Sequence, residues 1–287
     1  MFSRRTSHSA LLRAALAVLT GIVGMLMVAS STSAAPASAS TTARTSEQKP
    51  AVVLVHGAWA DSSSWSSVIT RLQNHGYTVL AAPNPLRSLS GDAAYLRDFL
   101  ATIAGPIVLV GHSYGGAVIT NAANGNNAVK ALVYIDAFAP DQGETVNSLT
   151  GAGSALGGDP ATLFDIRPYP AAPAGDADVY LKPAVFVQSF AQDLSRSAAV
   201  VLSATQRPLT LGAGNETSGA PAWRTIPSWY LLGTQDKIIT PASQQAMAKR
   251  AGSHITRVRA SHVSLISHPA ETTDVILAAA RATAPKD

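Results

Sequence analysis

Three side chains in this chain could pass a proton along a line and leave a reactive oxygen: Ser113, His262 and Asp236. A serine hydroxyl is a weak nucleophile until a base takes its proton. An imidazole serves as that base when a carboxylate holds its other nitrogen. Ser113 lies at the centre of Gly111-His112-Ser113-Tyr114-Gly115-Gly116. The apolar run Ile107 to Val110 before it reads as a buried strand, and the small apolar residues Ala117 to Ala123 after it read as the start of a helix. A serine in a tight turn between strand and helix is the nucleophile-elbow pattern. The turn strains the serine backbone and exposes its hydroxyl, glycines let strand and helix approach, and the helix N-terminus offers free N–H groups to negative charge. The bland alternative is a glycine-rich loop with an incidental serine. The bare pattern occurs by chance, but the flanking strand and helix favour the elbow.

The base should stand at the same sheet edge as the serine. His262 follows the last expected strand and can reach that edge, whereas His268, just before Pro269, more readily caps or packs at a helix start. His56 and His112 border the two glycine turns and read as structural hydrogen-bonding groups. Asp236, in Leu232-Gly233-Thr234-Gln235-Asp236, follows the strand Ser228 to Leu232 and is the expected acid; Asp136, at the end of the preceding strand, is its rival. A solvated turn is the commonest place for an aspartate in such a loop. Chain order and strand position nevertheless favour Asp236. Two backbone donors are needed for an oxyanion. The Tyr114 amide follows the nucleophile, and the Ala58 amide lies in the turn His56-Gly57-Ala58-Trp59 after the first strand.

The elements that must position these groups alternate along the chain. Strands are expected at Ala51 to Val55, Thr78 to Ala82, Ile107 to Val110, Lys130 to Ile135, Ser228 to Leu232 and Ile255 to Val258. Helices are expected at Ser63 to His75, Gly91 to Ile103, after the elbow, Ala242 to Arg250 and Pro269 to Ala282. Continuous apolar strands separated by helices give a mostly parallel six-stranded sheet covered on both faces, with ligands at the carboxyl ends of the strands. The expected core is 51–136 with 226–287. Residues 137–225, rich in Gly, Ala and Pro, break the rhythm and read as an inserted cap, with weak helical patterns around Val179 to Val187 and Ser195 to Ser203.

Composition narrows the partners. The net charge is +4, but Arg4, Arg5 and Arg13 stand near the start and no Asp or Glu occurs before residue 40; beyond residue 39 there are 18 basic against 17 acidic residues. No basic patch points to nucleic acid. The absence of cysteine excludes disulfides, thiolate metal sites and a cysteine nucleophile. No His/Asp cluster suggests a metal, and no cofactor is expected. Arg4, Arg5 and Arg13, the 16-residue apolar run Ala14 to Ala29, and the small residues up to Ala39 have the layout of an export signal over 1–39. The apolar run is shorter than the ~20 residues of a spanning helix, so a cleaved signal and a secreted product, with no remaining membrane span, are expected. Residues 40–50 read as a disordered linker.

With these pieces in place the sequence resembles the α/β-hydrolase fold from about Ala51 onward. More narrowly, it is similar to the branch of plant methyl esterases, hydroxynitrile lyases and secreted actinobacterial relatives. The matching pieces are His56-Gly57-Ala58 with Trp65, the elbow, Asp136-Ala137-Phe138-Ala139-Pro140, the Asp236 loop, and Ser261-His262 with His268-Pro269. The resemblance implies Ser113 as nucleophile, Asp236 as acid, His262 as base, and loss of the fold's usual first two strands. It implies a serine esterase of small-molecule esters. A lactonase and a cyanohydrin lyase are alternatives, as is a non-catalytic binder. Lyases of this branch carry lysine immediately after the histidine, where this chain has Val263. Trp59, Tyr114, Phe138 and Phe186 suggest an apolar, aromatic-lined pocket.

Overall fold

The computed structural model describes residues 49–283; the expected export signal, and the linker up to residue 48, lie outside them. Six strands form one sheet: β1 (Ala51–Val55), β2 (Val79–Ala82), β3 (Ile107–His112), β4 (Val129–Ile135), and two later strands at Ser228–Gly233 and His254–Val258. Their order across the sheet is β2, β1, β3, β4, Ser228–Gly233, His254–Val258, and each pairing is parallel. The central strands are largely apolar because helices cover both faces; every residue of β1 and β3 is buried, and the polar exceptions are His112 at the end of β3 and the exposed Lys130 near the start of β4.

Local chemistry sets the covering helices. Asp61 accepts from the Ser63 amide and starts a 3₁₀ turn that runs into α1 (Ser66–Asn74), whose Val68 and Leu72 face the core. Ser88 caps α2 (Leu89–Ala101) through the Gly91 amide. The elbow helix α3 (Tyr114–Ala122) is buried almost throughout. Pro269 opens the C-terminal helix Pro269–Ala282, where its missing N–H costs no intrahelical bond. No helix among the described residues is long and apolar enough to cross a membrane.

Register brings the strand ends into line. Val55 pairs with Gly111, His112 with Ile135, Ile135 with Leu231, and Gly233 with Val258. The residues just past β1, β3, β4 and the two later strands therefore share one edge. The chain reverses its direction of travel across the sheet between β1 and β3, the crevice where such sheets take ligands.

Residues between β4 and Ser228 build something the periodicity missed. A small antiparallel sheet joins Phe164–Arg167, Asp178–Leu181 and Leu209–Thr210. The helical pattern expected at Val179 to Val187 is thus partly a strand. Val179 and Leu181 are buried while Tyr180 is less so, and Lys182-Pro183 then breaks the strand. Helical turns resume at Pro183 and end in a π-helical turn over Phe186–Phe190. The pattern around Ser195 to Ser203 does become a helix, Arg196–Thr205, capped by Ser195.

Candidate active site

Ser113 follows β3 directly, with φ 53° and ψ −125°. A non-glycine residue in that region is strained, by roughly 1–3 kcal/mol. The turn is tight enough that a Cβ on Gly111 would lie 2.6 Å from the Gly115 carbonyl oxygen. The Phe138 amide donates to the Ser113 carbonyl at 3.1 Å and fixes the elbow from the far side.

The structure brings Ser113, His262 and Asp236 into one hydrogen-bonded line. Ser113 Oγ lies 2.8 Å from His262 Nε2, and His262 Nδ1 lies 2.7 Å from Asp236 Oδ2. Asp236 Oδ1 accepts from the Ile238 and Ile239 amides at 2.7 and 3.1 Å, and Oδ2 also accepts from Gln244 Nε2 at 2.7 Å. Burial pushes the Asp236 carboxyl above the usual carboxylate range, while these donors favour its anion. Burial alone drives the His262 imidazole down to about 3, so it stands neutral and able to accept a proton.

The Gly57-Ala58 turn abuts the serine. A Cβ on Gly57 would lie 2.5 Å from Ser113 Cβ, so glycine is what allows this approach. The Trp59 amide is taken by the Arg207 carbonyl and the Gly116 amide by the Ser113 carbonyl. Among the described residues, neither the Ala58 nor the Tyr114 amide has a backbone acceptor. Two donors thus remain free beside Ser113.

The rivals have other work. Asp136 is fully buried with φ 43°, and its Oδ2 accepts from the Ser264 amide at 3.1 Å and from the Ser264 hydroxyl. It anchors the turn that follows His262 and makes no hydrogen bond to the imidazole. His268 bonds Ser267 Oγ through Nδ1. His112 Nε2 lies 2.8 Å from the His262 carbonyl, and His56 Nδ1 lies 2.9 Å from the Gly57 carbonyl, as structural groups would.

Of the aromatic residues expected in a pocket, Trp59 and Phe186 line a narrow cleft with His112, Phe190 and Val263. Tyr114 and Phe138 line neither this cleft nor the larger chamber beyond it. The Tyr114 phenol turns into the core and donates to Asp92 Oδ2 at 2.9 Å, and Phe138 is buried with its backbone close against Gly116 of the elbow. Phe190, not singled out from sequence, lies with its ring 5.1 Å from that of His262. Its spacing of four from Phe186, one helical turn, was the available signal. Gln244 and Asp193 were also missed. Asp193 Oδ2 accepts from the Ser261 amide at 2.8 Å and Oδ1 from the Ser261 hydroxyl at 2.5 Å, beside the base. Among the described residues no group of three or more His, Asp or Glu could hold a metal ion.

Residues 52–275 match the model of the alpha/beta hydrolase family. The chain belongs to that family. It is 36% identical over 110 residues to the carbendazim hydrolyzing esterase of a Nocardioides species, a match spanning 34% of this chain and 46% of that protein. It is 27% identical over 243 residues to the pyrethroid hydrolase of Sphingobium wenxiniae, covering 78% of this chain and 85% of that one. Among solved structures, polyneuridine aldehyde esterase superposes with a TM-score of 0.66 at 19% identity, over 80% of this chain and 99% of that one; at that identity the likeness is one of fold. The protein is accordingly a hydrolase-type enzyme.

Proposed function

We propose that this enzyme is a carboxylic-ester hydrolase acting through a Ser113–His262–Asp236 triad. The observation that carries the reading is the unbroken hydrogen-bond line from Asp236 to the Ser113 hydroxyl, ending beside two free backbone donors. His262 Nε2 takes the hydroxyl proton as Oγ attacks the ester carbonyl carbon. The Ala58 and Tyr114 amides receive the negative charge on the carbonyl oxygen. The imidazolium returns its proton to the departing alkoxide, leaving an acyl-enzyme on Ser113. A water then gives its proton to His262 as it attacks the acyl carbon; the C–O bond to Ser113 breaks, the imidazolium returns that proton to Oγ, and the acid and the free serine are released. Asp236 holds the tautomer and stabilises the imidazolium without taking the proton.

In this reading residues 137–225 form a cap over the site, and residues 1–39 direct export of a secreted enzyme. A cyanohydrin lyase finds no support at the position after the base, where Val263 is apolar and buried. Ser113→Ala tests the assignment: kcat for p-nitrophenyl acetate should fall on the order of 10⁶-fold, and labelling by a fluorophosphonate should vanish. Turnover or labelling that survives the substitution refutes the triad.

A further inference from the structure

Ser113 is 2% exposed and His262 fully buried, so an ester must reach them through space shared with the surrounding insert. The narrow cleft walled by His112 and Val263, the chain neighbours of Ser113 and His262, has a volume of about 10 Å³, room for roughly one water. A second cavity of about 260 Å³ lies on the other side of Trp59, which is a wall of both. Trp59 directly follows Ala58 and is held at φ 57°. Its amide donates to Arg207 O at 2.8 Å and its indole Nε1 to Val179 O at 2.8 Å, both carbonyls of the insert. Aromatic rings run in file from the base to this chamber: His262 to Phe190 at 5.1 Å, Phe190 to Trp59 at 6.0 Å, and Trp59 to Phe164, a chamber wall, at 6.2 Å.

None of the twelve residues lining the chamber carries a charge. Phe164, Ile166, Val179 and Leu209 supply apolar walls, and Leu156 and Trp59 complete them. Its polar side chains, Asn147, Thr150 and Thr210, are all neutral, so a charged group placed here would be partly desolvated without meeting an opposite charge. A flat neutral ring would gain stacking faces and bury apolar surface. A strained tryptophan held by two insert carbonyls is a costly way to build a surface, and such strain gathers at ligand clamps.

We infer that this chamber binds the larger, uncharged aryl group of the ester, with Trp59 as the specificity-determining wall between that group and the reacting carbonyl. The inference rests on the acyl-transfer reading for its chemistry, but its binding half can be measured without turnover. The probe is 2-naphthol, a neutral aryl alcohol, titrated calorimetrically into Ser113→Ala protein at pH 8, with 2-naphthoate as the charged counterpart. Leu156→Trp and Leu209→Trp fill the chamber from two of its lining positions, and Trp59→Ala removes the partition. 2-Naphthol should bind, naphthoate should bind at least tenfold more weakly, and each variant that keeps a cooperative melting transition should weaken 2-naphthol at least tenfold. In the Ser113 protein the same fillers should lower the ratio of kcat/KM for 2-naphthyl acetate over vinyl acetate at least tenfold. Absence of 2-naphthol binding, equal binding of naphthoate, or indifference to the fillers and to Trp59→Ala overturns the chamber. Binding that follows the expected pattern in a protein that hydrolyses neither ester and resists fluorophosphonate leaves the chamber standing and refutes the acyl-transfer reading instead.

Discussion

Gly57→Ala probes the oxyanion turn, whose backbone donors no side-chain deletion can remove. The added methyl would lie 2.5 Å from Ser113 Cβ and 2.8 Å from the His112 carbonyl oxygen. Ordinary contact begins near 3.4 Å, so relief requires a displacement of about 0.9 Å. Neither obstacle is a flexible side-chain tip: one is the first side-chain atom of the nucleophile, the other is backbone. The turn must therefore open, and the Ala58 amide moves with it. Losing one oxyanion donor costs about 10²–10³ in rate, and a misplacement of about 1 Å costs a similar ~10². We expect kcat for p-nitrophenyl acetate to fall by about 10²–10³ with KM changed less than about threefold, since the loss falls on the transition state. Overpacking should also cost about 1–3 kcal/mol of stability, so rates are taken well below the melting transition. Gly125→Ala is the control: at φ 75° it carries backbone strain, but its methyl meets nothing within 4 Å. It should lower the melting temperature and spare kcat. A folded Gly57→Ala enzyme with kcat within threefold of the parent would refute the role given to this turn.

Three further outcomes follow from the same geometry. Asp236→Asn should lower kcat about 10⁴-fold by disturbing the imidazole tautomer, whereas Asp136→Asn, whose carbonyl can still accept from Ser264, should cost less than about tenfold; steady-state kinetics showing the reverse ranking would make Asp136 the acid. Because burial lowers the His262 pKa and only the neutral ring accepts a proton, kcat/KM should hold as pH falls and drop only well below 6.5; an acid limb at or above 6.5 counts against that environment. Thermal stability is a poor substitute for this profile. The depressed His262 makes stability fall as pH drops below 6.5, while the raised Asp136 and Asp236 make it fall as pH rises past their unfolded values. Asp193→Ala, which strips both acceptors from Ser261, should lower kcat by roughly 10- to 100-fold at constant KM, with part restored in Asp193→Asn; equal losses in the two variants would point to general destabilisation.

What was legible in the sequence is what has a period or a motif. The strands around Ser113 could be read because an all-apolar run has few other homes than a covered parallel sheet. Pro269 marked the start of the last helix by its own chemistry. Asp236 and His262 could be paired because each follows its own strand, and a parallel register delivers such positions to one edge. The insert was less readable. Val179 to Leu181 is three residues of alternating burial, too short to outweigh the helical spacing that continues into Phe186. Side-chain direction was hidden as well: Tyr114 follows the nucleophile, yet its phenol is claimed by Asp92 on α2. Asp193 lies 68 residues from the Ser261 it holds, and Gln244, only 8 residues from Asp236, sits on a helix in a stretch with no feature that announces the partner.

Strain explains why the insert bears on the chemistry. Of the non-glycine residues with positive φ, Trp59, Ser113 and Asp136 stand just beyond β1, β3 and β4, on the edge that carries the site. Each such conformation costs roughly 1–3 kcal/mol and persists only if neighbours over-determine it. Ser113 is held by the core, through Phe138. Asp136 is held by Ser264, on the turn after the base. Trp59 is held by Arg207 and Val179, both in the insert. The insert also reaches the loops that carry Asp236 and His262. Gln192 Nε2 donates to the Gln235 carbonyl at 2.7 Å, next to Asp236, and Asp193 takes Ser261, next to His262. Oxyanion turn, acid loop and base loop are thus each fastened to residues 179–207. An insert fastened in this way cannot be exchanged as a detachable cover, because whatever reshapes the chamber under it also pulls on the three loops to which the proposed mechanism assigns the reaction.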